Sequence, residues 1–289
     1  MFPSKFDYVA ARSVDEAIAA KADGDDVRFL AGGQSLLPMM KTRLATPAKL
    51  VDINPIPGLD TLERSNGTLR VGALVRHADL ARSDLTFGAV ASAAPWISDP
   101  LVRNRGTLCG SVSHCDPEGD WNSVLLATGA DVVARGRNGE RVVPITDFVT
   151  GVFTNSLADD EMVTEVRIHV PAGNAGGSYQ KLERKVGDYA TVAVAAHLEL
   201  AGDGTISRAG LALTAVAPIN TKVTAAEALL TGEAPSDDLF AEAGELAAQA
   251  SEPRSDVRGS AEWKRNVVRV FTRRALGAAA AEARAPTKG

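Results

Sequence analysis

Strand-like and helix-like stretches follow one another along this chain without the regular strand–helix–strand repeat of a doubly wound parallel sheet, which points to an α+β fold. SVDEAIAAKADG reads as a short helix with Ser13 at the N-cap, Glu16 at the capping-box position and Gly24 as the stop. VRFLAGG is an apolar strand running into paired glycines, LLPMMKTRL is helical, and KLVDINPIPGL is a strand broken by Pro55, Pro57 and Gly58. TLRVGAL follows the turn-former Asn66-Gly67 as an alternating strand, and ADLARSDLTFGAVASAAPWI has a helical pattern. A polar, Gly-rich stretch from Asp99 to Asp120 reads as loop, and a helix starts at about Trp121. DVVARGRNGERVVPI is a hairpin turning at Arg137-Asn138-Gly139-Glu140, and EMVTEVRIHVP is one more strand. After PAGNAGG the pattern changes to three strands, with Asp203-Gly204 turning the second into the third. From about Thr224 to Ala283 the chain is Ala-rich and helical, with a polar break at Ser251–Ser260.

The 289 residues suffice for one large or two modest domains. A formal net charge of −5 argues against a nucleic-acid footprint, which needs a basic face. Aromatics are only 5% of residues, so the core has to be built mainly from Ala, Val and Leu. No apolar run approaches the roughly 18 residues of a membrane span, and MFPSKFDYVA has no apolar stretch of signal-peptide type. The two cysteines, Cys109 and Cys115, do not make a disulfide framework, so a soluble protein of the reducing cytoplasm is expected.

Two segments suit anion binding. Ala31-Gly32-Gly33-Gln34-Ser35-Leu36 lies between a strand and a helix and matches neither GxGxxG nor the P-loop. Paired glycines there let backbone N–H groups approach an anion, although a plain strand-to-helix turn would use the same residues. Arg103-Asn104-Arg105-Gly106-Thr107-Leu108-Cys109-Gly110-Ser111 offers small residues, hydroxyls and two guanidiniums; His114, Asp116 and Asp120 follow. Cys109, His114, Cys115 and Asp116 fit none of the usual zinc spacings. No GxSxG elbow or Cys–His–Asn arrangement is present, and His77, His169 and His197 read as structural. Anion-binding segments without an acid–base or nucleophile set suit a protein that holds a redox cofactor whose chemistry is its own.

Taken together, AGGQSLLPMMKTRL, GALVRHADL, VRNRGTLCGSVSHCDPEGDW and KLERKVGDYATVAVA resemble the FAD-binding medium subunit of molybdenum hydroxylases, the flavoprotein subunit of the carbon monoxide dehydrogenase and xanthine dehydrogenase superfamily. The resemblance implies an FAD-binding domain of two α+β subdomains (1–60 and 61–175) followed by a C-terminal domain (176–289) with a three-stranded antiparallel sheet and helices. It implies non-covalent FAD, with Ala31, Gly32, Gly33, Gln34, Ser35 and Leu36 around the pyrophosphate and Thr107, Leu108, Cys109, Gly110 and Ser111 completing the cradle. Asp120 would accept from ribityl or ribose hydroxyls, Lys181 or Gln180 would lie near the flavin's polar edge, and Tyr189 would sit against the ring face. The chain departs from the family pattern at Leu101, Cys109 and Cys115, where Gln, Gly or an apolar residue, and Ala are usual.

With no cysteine cluster in this chain, [2Fe-2S] clusters are expected on an iron–sulfur small subunit and a molybdenum cofactor on a large subunit. The implied assembly is a dimer of heterotrimers, and the implied function is electron transfer from the partner clusters through FAD to quinone, NAD or oxygen. An alternative is a self-sufficient flavin-dependent oxidase or reductase with a related FAD domain. The short, Ala-rich C-terminal region counts against it, since such enzymes carry a substrate-covering domain with an acid or base. A scaffold that has lost flavin is disfavoured by the intact glycines.

Overall fold

The computed structural model describes residues 2–285. Its first sheet is parallel and three-stranded, with Lys49–Asp52 in the centre between Asp7–Ala10 and Val27–Leu30. The Val14–Ala22 helix packs on it. Ser13 Oγ accepts from the Glu16 N–H at 3.1 Å, while Glu16 Oε2 reaches the Arg12 N–H at 2.7 Å, one residue before the position a capping box uses.

A five-stranded antiparallel sheet follows, in the order Leu62–Ser65, Thr68–Gly72, Met162–His169, Asp131–Gly136, Gly139–Pro144. Leu62–Ser65 is a strand beyond those expected, and it forms the other arm of the Asn66-Gly67 hairpin. Gly139 ends the turn of the expected second hairpin at φ +108°. The single helical stretch expected over 78–97 is instead two helices, His77–Arg82 and Gly88–Ala93, and a short 3₁₀ turn at Ala94–Trp96. Ser83 breaks it, because its Oγ accepts from the Leu85 N–H (3.1 Å) and its carbonyl from Thr86 Oγ1 (2.9 Å), offering the backbone a turn instead of a helix.

The C-terminal region holds strands Ala175–Glu183, Ala190–Leu200 and Ile206–Thr214, as expected, and a fourth, two-residue strand, Thr221–Lys222, pairs with Ala212–Leu213. Helices Thr224–Leu230, Asp237–Ala250 and Ala261–Arg284 follow. Small residues let this layer pack closely: a Cβ on Gly176 would lie 2.2 Å from the Ala279 carbonyl oxygen of the last helix. Ala275, Ala279, Ala280 and Ala283 are buried there, in keeping with a core short of aromatics. No helix among the described residues is long and apolar enough to cross a membrane.

The Asp120–Thr128 helix is buried along its whole length and packs against the Ile206–Thr214 strand. At the crossing, a Cβ on Gly210 would fall 1.8 Å from the Ala127 carbonyl oxygen. Gly210→Ala is therefore expected to destabilise the chain by at least about 2 kcal/mol through overpacking. Gly202→Ala, where a Cβ meets nothing within 4 Å, should change stability by less than about 0.5 kcal/mol. Chemical or thermal unfolding of the two variants checks the contrast, and equal effects would refute it.

Candidate functional site

The Val27–Leu30 strand ends in Ala31-Gly32-Gly33-Gln34-Ser35, and the Leu36–Thr42 helix begins directly after. Gly33 has φ +72°, so this turn needs glycine. Ser35 makes no side-chain cap, and the first helical bonds come from the Leu37 N–H to Gly33 O (3.0 Å) and the Met39 N–H to Ser35 O (3.2 Å). The backbone N–H groups of Gly32, Gly33, Gln34, Ser35 and Leu36 have no acceptor among the described residues. Five successive free donors on glycine-bearing backbone suit a diphosphate.

Thr107–Ser111 differs from the expected loop. Thr107 is the N-cap of the Leu108–His114 helix and accepts from the Gly110 N–H at 3.1 Å. Leu108 and Cys109 turn into the core, and Cys109 Sγ lies 3.5 Å from Val71 O. Burial raises the Cys109 thiol far above its ordinary range and pushes Cys115 up to about 12, so both stay protonated. Both thiols therefore serve packing, and Cys109 has only its backbone to offer a ligand. Gly119 is the N-cap of the Asp120–Thr128 helix, and Asp116 Oδ1 accepts from the Glu118 N–H at 2.9 Å.

The two segments meet. A Cβ on Gly32 would lie 2.3 Å from Arg105 O and 2.7 Å from Gly106 Cα, so their backbones are in contact. Asn54 Nδ2 donates to Ala31 O (2.9 Å) and to Asp52 Oδ1 (2.6 Å). Arg76 donates from Nη2 to Asn54 Oδ1 and from Nη1 to Arg105 O, each at 2.6 Å. Tyr8 completes the row by donating to Asp52 Oδ2 at 2.6 Å. Beneath Gly106 lies His77, whose N–H donates to Gly106 O (3.0 Å) and whose ring would sit 2.8 Å from a Cβ on Gly106. Trp121 Nε1 donates to His77 Nδ1 at 3.1 Å, which fixes a neutral imidazole protonated at Nε2. Burial, reinforced by the Arg103 and Arg76 charges, lowers the His77 pKa to about 3.

Asp120 and Lys181 come together as a buried pair. Lys181 Nζ donates to Asp120 Oδ2 (3.0 Å) and Trp96 O (3.1 Å) and lies 3.6 Å from Glu183 Oε2. Tyr179, fully buried, donates to Asp120 Oδ1 at 2.5 Å. Burial pushes the Asp120 carboxyl up, with Lys181 and Tyr179 pulling it down. Tyr189 is half-exposed just before the Ala190–Leu200 strand. Burial, then the nearby Asp116, Glu118 and Asp120 carboxylates, raise its pKa. Gln180 is only partly buried, and its Nε2 donates to Ser178 Oγ at 3.0 Å.

The structure thus joins Ala31–Leu36 to Arg105–Gly106, just ahead of the 107–111 segment, and Asp120 to Lys181 and the neighbourhood of Tyr189. Sequence reasoning missed Asn54, Arg76 and Tyr179, and read His77 as structural without its partners. Arg76 and His77 stood in GALVRHADL, but only three-dimensional contact gives them roles. Among the described residues, no group of three or more His, Cys, Asp or Glu could hold a metal ion.

Residues 4–172 match the family described as the FAD binding domain in molybdopterin dehydrogenase, and 177–279 match the CO dehydrogenase flavoprotein C-terminal domain. The chain is 38% identical to the carbon monoxide dehydrogenase medium chain of Hydrogenophaga pseudoflava, over 96% of this chain and 98% of that one. It is 37% identical to subunit alpha of the 6-hydroxypseudooxynicotine dehydrogenase complex of Paenarthrobacter nicotinovorans, over 100% and 98%. A solved structure of carbon monoxide dehydrogenase from Hydrogenophaga pseudoflava, lacking the Mo-pyranopterin moiety, superposes with a TM-score of 0.94 at 40% identity, covering 98% of this chain and 99% of that one.

His77 makes a pH prediction. Below its ordinary pKa of 6.5 the unfolded chain takes up a proton that the folded chain refuses until about pH 3, so stability falls as pH drops through that window. Between pH 7 and pH 5 the wild type should lose about 2 kcal/mol more than His77→Gln, which keeps an acceptor for the Trp121 indole. Urea unfolding at the two pH values checks this, and parallel losses in both proteins would refute it.

Proposed function

The chain belongs to the family of FAD-binding medium subunits of molybdopterin dehydrogenases, and on that premise we propose that it is the electron-exit subunit of its complex, passing electrons from partner iron–sulfur clusters to an external acceptor. FAD, when bound, supplies the exchange between one-electron and two-electron transfer; the protein supplies binding and electrostatics. The observation that carries this reading is the row of five backbone N–H groups from Gly32 to Leu36 without an acceptor among the described residues, which begins where Gly32 is pressed against Arg105 and Gly106.

In this reading Ala31–Leu36 and the backbone of Thr107–Ser111 wrap the diphosphate and ribityl chain. Each backbone amide there can donate to a diphosphate oxygen, and several such donors together offset part of the cost of taking the dianion out of water. Asp120, expected to accept directly from sugar hydroxyls, already accepts from Tyr179 and Lys181. Lys181, about 1% exposed with its ammonium on Asp120, Glu183 and the Trp96 carbonyl, is proposed to act near the flavin's polar edge only through this buried pair and without touching the ring, while Tyr189 offers an apolar face to it. The division at residues 60 and 175 belongs to the same proposal, supported by the separate three-, five- and four-stranded sheets.

The proposed partners are an iron–sulfur small subunit and a molybdenum large subunit, in a cytoplasmic dimer of heterotrimers. Medium subunits of similar identity serve complexes named for carbon monoxide and for 6-hydroxypseudooxynicotine. Substrates so different behind one kind of medium subunit support placing substrate choice on the molybdenum subunit.

The test is the visible spectrum of the co-expressed complex after incubation with FAD and desalting, with the released chromophore identified by chromatography. One non-covalent FAD per chain is expected. Gly33→Val should abolish it by distorting the turn, since the position has φ +72° and a Cβ already meets Leu37 and Leu30 at 3.0 and 3.1 Å; a cooperative unfolding transition in the variant shows that the loss is confined to the turn. A complex without flavin, or a variant that keeps it, would overturn the reading.

A further inference from the structure

We propose that Arg76 and Asn54 are positioning residues that set the spacing between the two walls of the FAD diphosphate site. The inference rests on the FAD reading above, but its geometry stands apart from it. One wall follows the strand of the parallel sheet at Ala31, and the other is the Arg105–Gly106 backbone ahead of the Leu108–His114 helix. Between them van der Waals contact at Gly32 sets only a minimum approach. The polar bridge adds the opposing restraint. Ala31 O is held by Asn54 Nδ2 (2.9 Å), Asn54 Oδ1 by Arg76 Nη2 (2.6 Å), and Arg105 O by Arg76 Nη1 (2.6 Å).

Each member has little freedom. Asn54 Nδ2 also donates to Asp52 Oδ1 (2.6 Å), and the Asn54 N–H donates to the same oxygen at 2.9 Å. The amide orientation is therefore determined: its nitrogen faces the Asp52 carboxylate and the Ala31 and Leu30 carbonyls, and its oxygen faces a guanidinium. Asp52 in turn is held by Tyr8 from the neighbouring strand. Arg76 is flanked at its backbone by Asp79, whose Oδ2 accepts from the Arg76 N–H at 3.0 Å. A planar guanidinium can donate to two acceptors in fixed directions, which a lysine ammonium on its flexible stem cannot reproduce. The bridge never touches the proposed diphosphate donors; it acts through the carbonyls of the segments that carry them.

The experiment measures FAD affinity by fluorescence quenching in the co-expressed complex, together with amide hydrogen exchange of the ligand-free protein. Arg76→Ala and Asn54→Ala are each expected to weaken FAD binding about 10- to 100-fold, the effect of losing one or two charge-assisted hydrogen bonds. The double variant should be no weaker than the worse single variant, because the two residues form one device. Arg76→Lys should fall between, and guanidinium ion at tens of millimolar should restore part of the affinity of Arg76→Ala, which sodium chloride should not. Exchange should quicken at 31–36 and 105–109 in both single variants, with the C-terminal sheet unchanged.

FAD affinity within twofold of wild type in Arg76→Ala, or strictly additive losses, would overturn the proposal. Global loss of protection in both single variants would also overturn it, by making the bridge a requirement of folding. If wild type itself binds no FAD, the functional reading falls, and the exchange pattern alone decides whether the bridge couples the two segments.

Discussion

Outside a hydrogen-bonded ladder, two backbone segments can approach this closely only where no side chain projects into the contact. Gly32 against Arg105–Gly106 meets that condition, with a Cβ on Gly32 reaching within 2.3 Å of the Arg105 carbonyl oxygen. Much of the site follows from it. The approach puts the free N–H groups of 32–36 beside the entry to the Leu108–His114 helix, and it leaves Ala31 O and Arg105 O close enough for one Asn–Arg bridge to serve both. A second close approach supports the first from below, where Gly106 leaves room for the His77 ring. Small residues here are therefore positions of contact, and their lack of side chain is what brings polar backbone together.

The buried Lys181 imposes a different constraint. Its side chain is about 1% exposed, so its charge has to be matched inside the protein. Asp120 and Glu183 supply two carboxylates and Trp96 a carbonyl. Because Asp120 opens a fully buried helix and Lys181 lies on a C-terminal strand, this pair fastens the region of the Gly-rich segments to the C-terminal sheet. Removing one partner of such a pair costs about 3–5 kcal/mol, since it strands the other charge. Tyr179, two residues before Lys181 and so on the same face of the strand, adds its hydroxyl to the same carboxylate.

Much of this was legible in the sequence. The Asp203-Gly204 and Asn138-Gly139 turns, the three long C-terminal strands and the polar break before the last helix follow from alternation and turn chemistry, which are local signals. The 107–111 segment was misread because a run of small and polar residues looks like loop, while Thr107 as N-cap with Leu108 and Cys109 facing the core makes it a helix start. The missed strand Leu62–Ser65 is four residues long and partly exposed, too short for a clear alternation. The contacts of Asn54, Arg76, His77 and Tyr179 could not be assigned locally at all. Their partners are Ala31, Arg105, Trp121 and Asp120, and each contact exists only after separate elements have packed.

The site's remaining character lies in what it keeps from reacting. A histidine and two cysteines lie beside or within the segments proposed to hold FAD, and in another setting each would be a candidate acid, base or nucleophile. Here His77 is lowered to about 3 and Cys115 raised to about 12, with Cys109 raised further still, and burial is the leading cause each time. Across the neutral range none of the three changes charge, so none perturbs the field at the backbone donors as pH varies. The Trp121 indole holds the imidazole in one tautomer, and the thiols lie against Val71 O and Val112 O. The proposed flavin site gains from such silence, because a titrating neighbour would tie a bound cofactor's potential to pH through the protein as well as through the flavin itself. Burial thus accounts for both the missing acid–base machinery and the presence of residues that resemble it.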